Sequence, residues 1–430
     1  MNEIFEDPSV FDVFDLTAHQ IPAKDVELEI LDWHGGSHPV NPPRFSSQIV
    51  VPSELHRLPV PRVRIILAPL DLPRTAQSPS LLQLCRHYSV PSAFLEARIR
   101  SVTHSFGALD GAEYNCSWFH YLCKNITVQQ AKSGRKFISG LRPNDALGLP
   151  QTDGTWFRSG FFLRWANPSH TGKEPEVTLI CFQAPGPLRQ RLIQIPIPVL
   201  CASAPLDPHC LLVVVLAELS RQMDHTAWEL SDVFGGIETK MLELRHERES
   251  FPALHNISKH IIFLLEGSEA IPLTLRAFAA RHQALLDRAG TDHEKEAAEA
   301  TLKALLQVET SFQAVNLRLN SLEKRMQNTI SLAYHLVTQE GTRIMQADSS
   351  SMATIAFVTL VFLPISAVST IFGTQFFKLS DADPPEIKVA GDFWIFWAIS
   401  VPVTMLVMAL WYISTRRDIK SLFILWKRRL

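Results

Sequence analysis

The chain has no excess of charge of either sign. Lys and Arg number 41 against 43 Asp and Glu, a net charge of −2 over 430 residues. That balance supplies no basic field to hold a phosphate backbone, so nothing points to a nucleic-acid partner. Paired cysteines are also lacking. Cys85, Cys116, Cys123, Cys181, Cys201 and Cys210 include no C-x-x-C spacing, so they read as scattered, mostly buried thiols rather than a zinc or redox site. If their region is cytosolic they are reduced. The first twenty residues, MNEIFEDPSVFDVFDLTAHQ, are acidic and have no basic stretch followed by an apolar run. They read as neither a secretory signal nor a transit peptide. No Walker motif, no H-E-x-x-H pattern and no Ser-His-Asp or Cys-His set in a local signature context occurs, so an enzyme is the least supported class and no cofactor is expected. Disorder is excluded by composition, with 46% hydrophobic and 20% charged residues.

Charge is missing altogether from two long stretches. Ser349–Phe377 (29 residues) and Phe393–Thr415 (23 residues) contain no Asp, Glu, Lys, Arg or His. About 20 apolar helical residues cross a bilayer's hydrocarbon core, so each stretch is long enough to span it. Ile193–Leu216 is apolar as well, but four prolines and Asp207 interrupt it, and it reads as domain core. Phe393, Trp394, Phe396 and Trp397 open the second span, and Trp411 and Tyr412 close it. Aromatics at both ends suit membrane interfaces.

Flanking charge sets the orientation. After Thr415 come six Lys or Arg residues against one acid, Asp418, whereas the loop between the spans carries Asp381, Asp383, Glu386 and Asp392 against Lys378 and Lys388. The positive-inside rule puts the tail in the cytosol and the loop outside, and two spans then leave the N-terminal region cytosolic too.

Proline divides what precedes the spans. Residues 1–210 hold 22 of the 28 prolines, so loops and strands are expected first and helices afterwards. The organisation expected is an N-terminal α+β or α/β domain (1–210), a helical region (211–290), a long stalk helix (291–350), the first span with the loop after it (351–377), an acidic outer loop (378–392), the second span (393–415) and a basic tail (416–430). Strands are expected at Val26–Leu31, Val63–Ala68 and Val177–Phe182, and helices at Leu81–Tyr88 and Ser92–Val102. Breaks in the later helices are expected near Gly235-Gly236, Pro252 and Gly290.

The stalk begins at a capping box, Thr291-Asp-His-Glu294, in which hydroxyl and carboxylate satisfy free amides at a helix start. Leu305, Val308, Phe312, Val315, Leu319, Leu322, Met326, Thr329, Ala333 and Leu336 then recur at 3–4 spacing, a heptad seam of the coiled-coil type. No proline interrupts residues 292–363. One helix over 292–372 would be ~120 Å long at 1.5 Å per residue. Its seam needs partners, either helices of the same chain or further copies. Two helices joined near Gly341 are the alternative. Asp292, Glu294, Glu296 and Glu299 read as a solvated first turn that complements the helix dipole, or as ligands for a regulatory divalent ion. His246, His255 and His260 read as surface or core residues. No metal site is assigned in the cytosolic domain.

The first span is rich in hydroxyls. Thr359, Ser366 and Thr370 lie at i, i+7 and i+11 and share one helix face, as pore-lining groups or as helix-to-helix and helix-to-backbone bonds. After the span comes Phe372-Gly-Thr-Gln-Phe376. A turn at Gly373 exposes backbone carbonyls, and Thr374 and Gln375 add neutral oxygens. A ring of such weak ligands suits a cation that keeps its water, as Mg²⁺ does.

These residues resemble the CorA-type divalent-cation channels, in their fungal branch. That family has two C-terminal spans with a Gly-Met-Asn signature after the first. Here Gly373-Thr374-Gln375 stands in that place, flanked by Phe372 and Phe376, with Pro364 nine residues before the glycine. Pro384-Pro385-Glu386-Ile387 approximates a Met-Pro-Glu-Leu-like element of the outer loop. Leu81–Leu95 and Ser159–Trp165 also look like the fungal branch. The resemblance implies a homopentamer in a lipid bilayer, with the first spans lining the pore. It also implies passive, gradient-driven transport of divalent cations, Mg²⁺ foremost, gated through the cytosolic domain. Gly373, Thr374 and Gln375 would form the ion-selectivity loop. Asp381, Asp383 and Glu386 would concentrate cations at the outer mouth. Gln375 adds a methylene to the signature amide, and Thr374 replaces an apolar residue by a hydroxyl. A non-conducting scaffold or sensor, and a Zn²⁺ transporter of the sister branch, are therefore carried as alternatives. The plasma membrane is the favoured location.

The topology has a direct test. Asn115-Cys-Ser, Asn125-Ile-Thr and Asn256-Ile-Ser are acceptor sequons that precede the spans. Protein made in a glycosylating host is expected to show no mobility shift on treatment with an N-glycosidase. A shift that disappears in Asn→Gln variants would place the N-terminal region outside.

Overall fold

The structure is a computed structural model. It describes residues 7, 10–11, 25–34, 45–69, 78–99, 104–132, 134, 136–139, 155–167, 176–195, 207–242, 250–288, 290–373, 377–379, 387–389 and 391–427. Two compact units divide the chain, Met1–Ser331 and Leu332–Leu430. The architecture is an α+β domain, a long helix and a C-terminal apolar helix.

The first unit is built on a seven-stranded mixed sheet. Its strands are β1 (Leu28–Trp33), β2 (Ser46–Val50), β3 (Val63–Ala68), β4 (His104–Asp110), β5 (Tyr114–Asn125), β8 (Thr155–Ala166) and β9 (Val177–Phe182). Their spatial order is β2-β1-β3-β9-β8-β5-β4. Only β3 and β9 run parallel, Val63 facing Val177. Two further short strands, β6 (Thr127–Gln130) and β7 (Lys136–Ser139), form a separate hairpin. β3 and β9 coincide with the apolar runs that predict them. β1 starts two residues later than expected and is buried through Trp33, because both faces of this strand are covered and strict alternation is lost.

Helices α1 (Ser78–His87) and α2 (Ser92–Ile99) cover one face. Their buried Leu81, Leu84, Phe94 and Leu95 share a core with Ile30, Ile66, Phe162 and Phe182. Gly160 is required there. A Cβ on it would lie 2.8 Å from the Phe94 ring. A short helix α3 (Gly186–Ile193) follows β9. Helices α4 (Cys210–Leu242) and α5 (Ser250–Leu286) then cover the other face, with Phe106 stacked on Phe278 at 5.4 Å and Trp156 edge-on to Phe263 at 4.9 Å. Leu211, Leu212, Val215 and Leu216 are fully buried in α4. That part of the apolar Ile193–Leu216 stretch is domain core, as its composition implies. The expected break at Gly235-Gly236 does not occur, since α4 runs through both. The apolar stripe that α4 buries, with Leu230, Phe234 and Ile237, outweighs a glycine cost of ~1 kcal/mol each.

A buried ion pair braces the sheet. Arg64 donates to both carboxylate oxygens of Asp32, each at 2.8 Å, and to the Pro59 carbonyl at 2.8 Å. Burial disfavours the guanidinium charge, yet Asp32 and Tyr88 outweigh it and hold the Arg64 pKa above its ordinary value.

Helix α6 runs unbroken from Asp292 to Phe372, so Gly341 does not divide it. Its start is the capping box: Glu294 N–H donates to Thr291 Oγ1 at 3.3 Å, and Thr291 N–H to Glu294 Oε2 at 3.1 Å. The seam from Leu305 to Met326 is buried, with Thr329 and Ala333, while Leu336 is only half-buried. The partners of the seam are the chain's own helices. Asn316 bonds Ser268 of α5 at 3.0 Å, Arg325 pairs with Glu238 of α4 at 2.6 Å, and Arg318 pairs with Asp224 of α4.

In the second unit, two short strands follow α6: β10 (Phe377–Leu379) and β11 (Ile387–Val389), antiparallel with Lys378 opposite Lys388. Helix α7 (Phe393–Lys427) carries the second apolar stretch and continues into the basic tail.

Two outcomes are expected. Asp32→Ala strands the Arg64 guanidinium in the core and should lower the stability of the first unit by about 3–5 kcal/mol, read by denaturant unfolding of the detergent-solubilised chain. Burial pushes the Cys85 thiol up to about 12 and Cys123 to about 11, and raises Cys181 as well. At pH 8 the thiolate fraction at Cys123 is then on the order of one in a thousand. A brief maleimide pulse on the native protein should leave all three unlabelled, as peptide mass spectrometry would report.

Candidate functional site

Two regions carry polar groups that packing does not require. The first lies in the second unit. Each apolar stretch contributes to a helix long and apolar enough to cross a membrane, and only 11% of an 18-residue apolar window in each is buried. A core helix of a soluble domain would be mostly covered. What cover there is comes from one stripe of α6. Pro364 and Val368 are buried, and Val368 and Ile365 pack with Phe396 and Phe393 of α7. Nearer the other end Phe357 meets Trp411 at 6.3 Å.

Thr359, Ser366 and Thr370 are exposed. At ~100° per residue, their shared face is about half a turn away from the Pro364–Val368 stripe. The first span thus has one side committed to α7 and a hydroxyl side turned away from it. Thr359 Oγ1 donates to Ile355 O and Thr370 Oγ1 to Ser366 O, both at 2.8 Å. The Thr359 and Thr370 hydroxyl protons are therefore satisfied within the helix, which leaves their lone pairs able to accept.

α6 ends at Phe372. Gly373 follows in a turn, so close to the helix that a Cβ there would sit 2.6 Å from the Ser369 carbonyl oxygen. No other residue fits that turn unchanged. Thr374, Gln375, Asp381, Asp383 and Glu386 lie outside the described residues.

The second region lies in the first unit, where three sequence-distant elements converge. Asp207 and His209 precede and open α4, and His282 lies in the last turns of α5. The His209 N–H donates to Asp207 Oδ1 at 3.1 Å, and His209 Nδ1 is 3.3 Å from the same oxygen. His209 Nε2 is 3.3 Å from Ser117 Oγ of β5. His282 Nε2 is 3.0 Å from the Ala298 carbonyl of α6 and 3.3 Å from Asp207 Oδ2. Both imidazoles are buried, and Asp207 is the member that reaches solvent, its side chain 11% exposed.

Burial lowers the His209 pKa more than Asp207 raises it, so the ring is neutral near pH 7. Burial alone would raise the Asp207 carboxyl, but the neighbouring His209 and His282 outweigh it and hold it below the ordinary value.

The histidines singled out by sequence are not part of this group. His255 is exposed, His260 is buried elsewhere on α5, and His246 lies outside the described residues. Of the acidic run at the start of α6, Glu294 is used by the cap and Glu299 pairs with Lys303. The signal that sequence reading passed over is the two-residue spacing of Asp207-Pro-His209. His282 carries no local signal at all.

No family model matches the chain. A segment of 172 residues is 37% identical to notoamide biosynthesis cluster protein M′ of Aspergillus versicolor; the match covers 37% of this chain and 36% of that protein. Among solved structures, the chain is similar to the complete CorA magnesium transporter of Methanocaldococcus jannaschii, at 12% identity and a TM-score of 0.45. That match covers 91% of this chain and 98% of the other. It is also similar to the full-length CmaX protein, at 12% identity and a TM-score of 0.46, covering 92% and 99%. The cytoplasmic domain of ZntB from Vibrio parahaemolyticus matches at 13% identity and a TM-score of 0.35, covering 72% and 99%.

Proposed function

We propose that this chain is the subunit of a homo-oligomeric membrane channel that passes divalent cations down their electrochemical gradient. The observation that supports this reading is the two-sided first span. One stripe is taken by α7, and the opposite stripe carries Thr359, Ser366 and Thr370. In a lone hairpin those oxygens would face hydrocarbon. Around a symmetry axis they face one another and wet a path.

Such a path needs no charged ligand. A hydrated divalent ion holds its water tightly, and rings of neutral oxygens accept it without stripping it. Gly373, Thr374 and Gln375 follow this helix in the sequence, where the CorA-type signature would stand, and they are the proposed selectivity loop. Asp381, Asp383 and Glu386 then raise cation concentration at the mouth. The five-fold assembly, the plasma membrane and Mg²⁺ as the ion belong to the same proposal. The Gln and Thr departures from the signature favour a second reading, a scaffold that keeps the fold and conducts nothing.

Flux into proteoliposomes separates the two. Mg²⁺, Zn²⁺, Co²⁺ and Ni²⁺ uptake should rise with a negative interior potential. Gln375→Ala should reduce uptake of the preferred ion by about ten-fold or more, the loss of one ~1.4 kcal/mol contact per ion site. Absence of flux from a correctly assembled oligomer, even after Thr374→Met with Gln375→Asn, would leave the scaffold.

A further inference from the structure

We infer that Asp207, His209 and His282 form a buried binding site for one Zn²⁺-class transition-metal cation per chain, within the first unit and separate from the proposed ion path. The three donor atoms lie within 4.8 Å of one another. Around a tetrahedral ion with bonds of ~2.1 Å, donors sit about 3.4 Å apart. The contacts of Asp207 Oδ1 with His209 Nδ1 and of Asp207 Oδ2 with His282 Nε2 are both 3.3 Å. Each carboxylate oxygen is therefore already at ligand spacing from one imidazole, Oδ1 from His209 and Oδ2 from His282.

Two further observations favour a cation over a plain hydrogen-bond network. Asp207 Oδ2 is buried, yet it accepts no well-formed hydrogen bond, although it faces His282 Nε2. The nearby Thr301 hydroxyl donates to Ala297 O. Moreover, two acceptors, the Ala298 carbonyl and Asp207 Oδ2, point at one imidazole nitrogen, which carries at most one proton. A cation in reach of Asp207 Oδ2 and His282 Nε2 removes that competition, with the Ala298 carbonyl, 3.0 Å from the same nitrogen, as a candidate fourth donor.

The donor set decides the class. Two imidazoles and one carboxylate suit Zn²⁺ and its Co²⁺ analogue, whereas Mg²⁺ prefers six oxygens in octahedral array. The second nitrogen of the His209 ring lies against Ser117 Oγ of β5, which fixes its orientation in the manner of outer-shell partners. The partly exposed Asp207 provides the way in.

The consequence is mechanical. Asp207 and His209 lie at the start of α4, His282 near the end of α5, and Ala298 in the second turn of α6. One bound ion ties three helix ends together, against the sheet through Ser117. It would thereby secure the start of the long helix.

The test uses the purified full-length chain in detergent, its affinity tag free of histidine, stripped with a chelator and titrated with Co²⁺. Tetrahedral Co²⁺ absorbs strongly in the visible range, and hydrated octahedral Co²⁺ in a pore absorbs weakly. The expected result is an intense visible band that saturates at one Co²⁺ per chain and is displaced by Zn²⁺ but not by Mg²⁺. His209→Gln and His282→Gln should each weaken binding by about ten-fold or more, with unchanged oligomer size and circular dichroism. Gln375→Ala should leave the band untouched, so this result stands apart from the outcome for the channel. A stripped wild-type chain that takes up no tetrahedral Co²⁺ overturns the inference whatever the variants do. Folded histidine variants that bind like wild type overturn it as well.

Discussion

Apolar surface without cover is the constraint on which this molecule depends. α6 is one continuous helix, but its surroundings change along its length. From Leu305 to Ala333 its seam is buried, and within the first unit Asn316, Arg318 and Arg325 bond residues of α4 and α5. Beyond that point Ile344, Met345, Met352, Ile355, Phe362 and Leu363 are large, apolar and exposed. At roughly 25 cal/mol per Å² of apolar area, such a surface cannot remain in water. Part is taken up by α7 along the Val368 stripe. In the proposed channel, lipid and further copies of the chain cover the rest.

The first unit handles its buried charges differently from one place to another. Arg64 and Asp32 satisfy each other in a two-pronged pair, with Pro59 and Tyr88 accepting two further bonds. Lys124, almost fully buried, has its ammonium 4.6 Å from the Trp156 ring and 5.0 Å from Phe263, so the rings' negative faces offset part of its desolvation. Asp207 has no comparable closure. Its carboxylate is flanked by two imidazoles and leaves one oxygen without a well-formed bond. Half-buried Arg62 and Arg164 also leave a buried Nε without a bond; what sets the Asp207 cluster apart is that its open oxygen belongs to a carboxylate beside two buried imidazoles.

Much of the fold was legible because its signals are local. The capping box at Thr291, the proline-free run after it and the heptad spacing each need only a few neighbouring residues to act, and the helix follows them. Two charge-free stretches announce apolar helices for the same reason. The misreadings are those in which packing overrides local preference. Gly235-Gly236 sits inside α4 because the flanking apolar stripe is buried. β1 is shifted because a strand covered on both faces gives no alternation to fix its ends.

The sequence by itself determined the class of the molecule: an α+β domain, then a long helix, then two helices too apolar for water. Periodicity and absence of charge are one-dimensional properties, and they are read directly from the chain. Only the tertiary structure decided that the seam is met by the chain's own α4 and α5, and that the hydroxyl face of the first span is the one α7 leaves open. It alone brought His282 to Asp207 and His209 across more than seventy residues of chain. Convergence of that kind depends on how helices dock on a sheet. Docking follows from the summed shape of many side chains, which no short stretch of sequence contains.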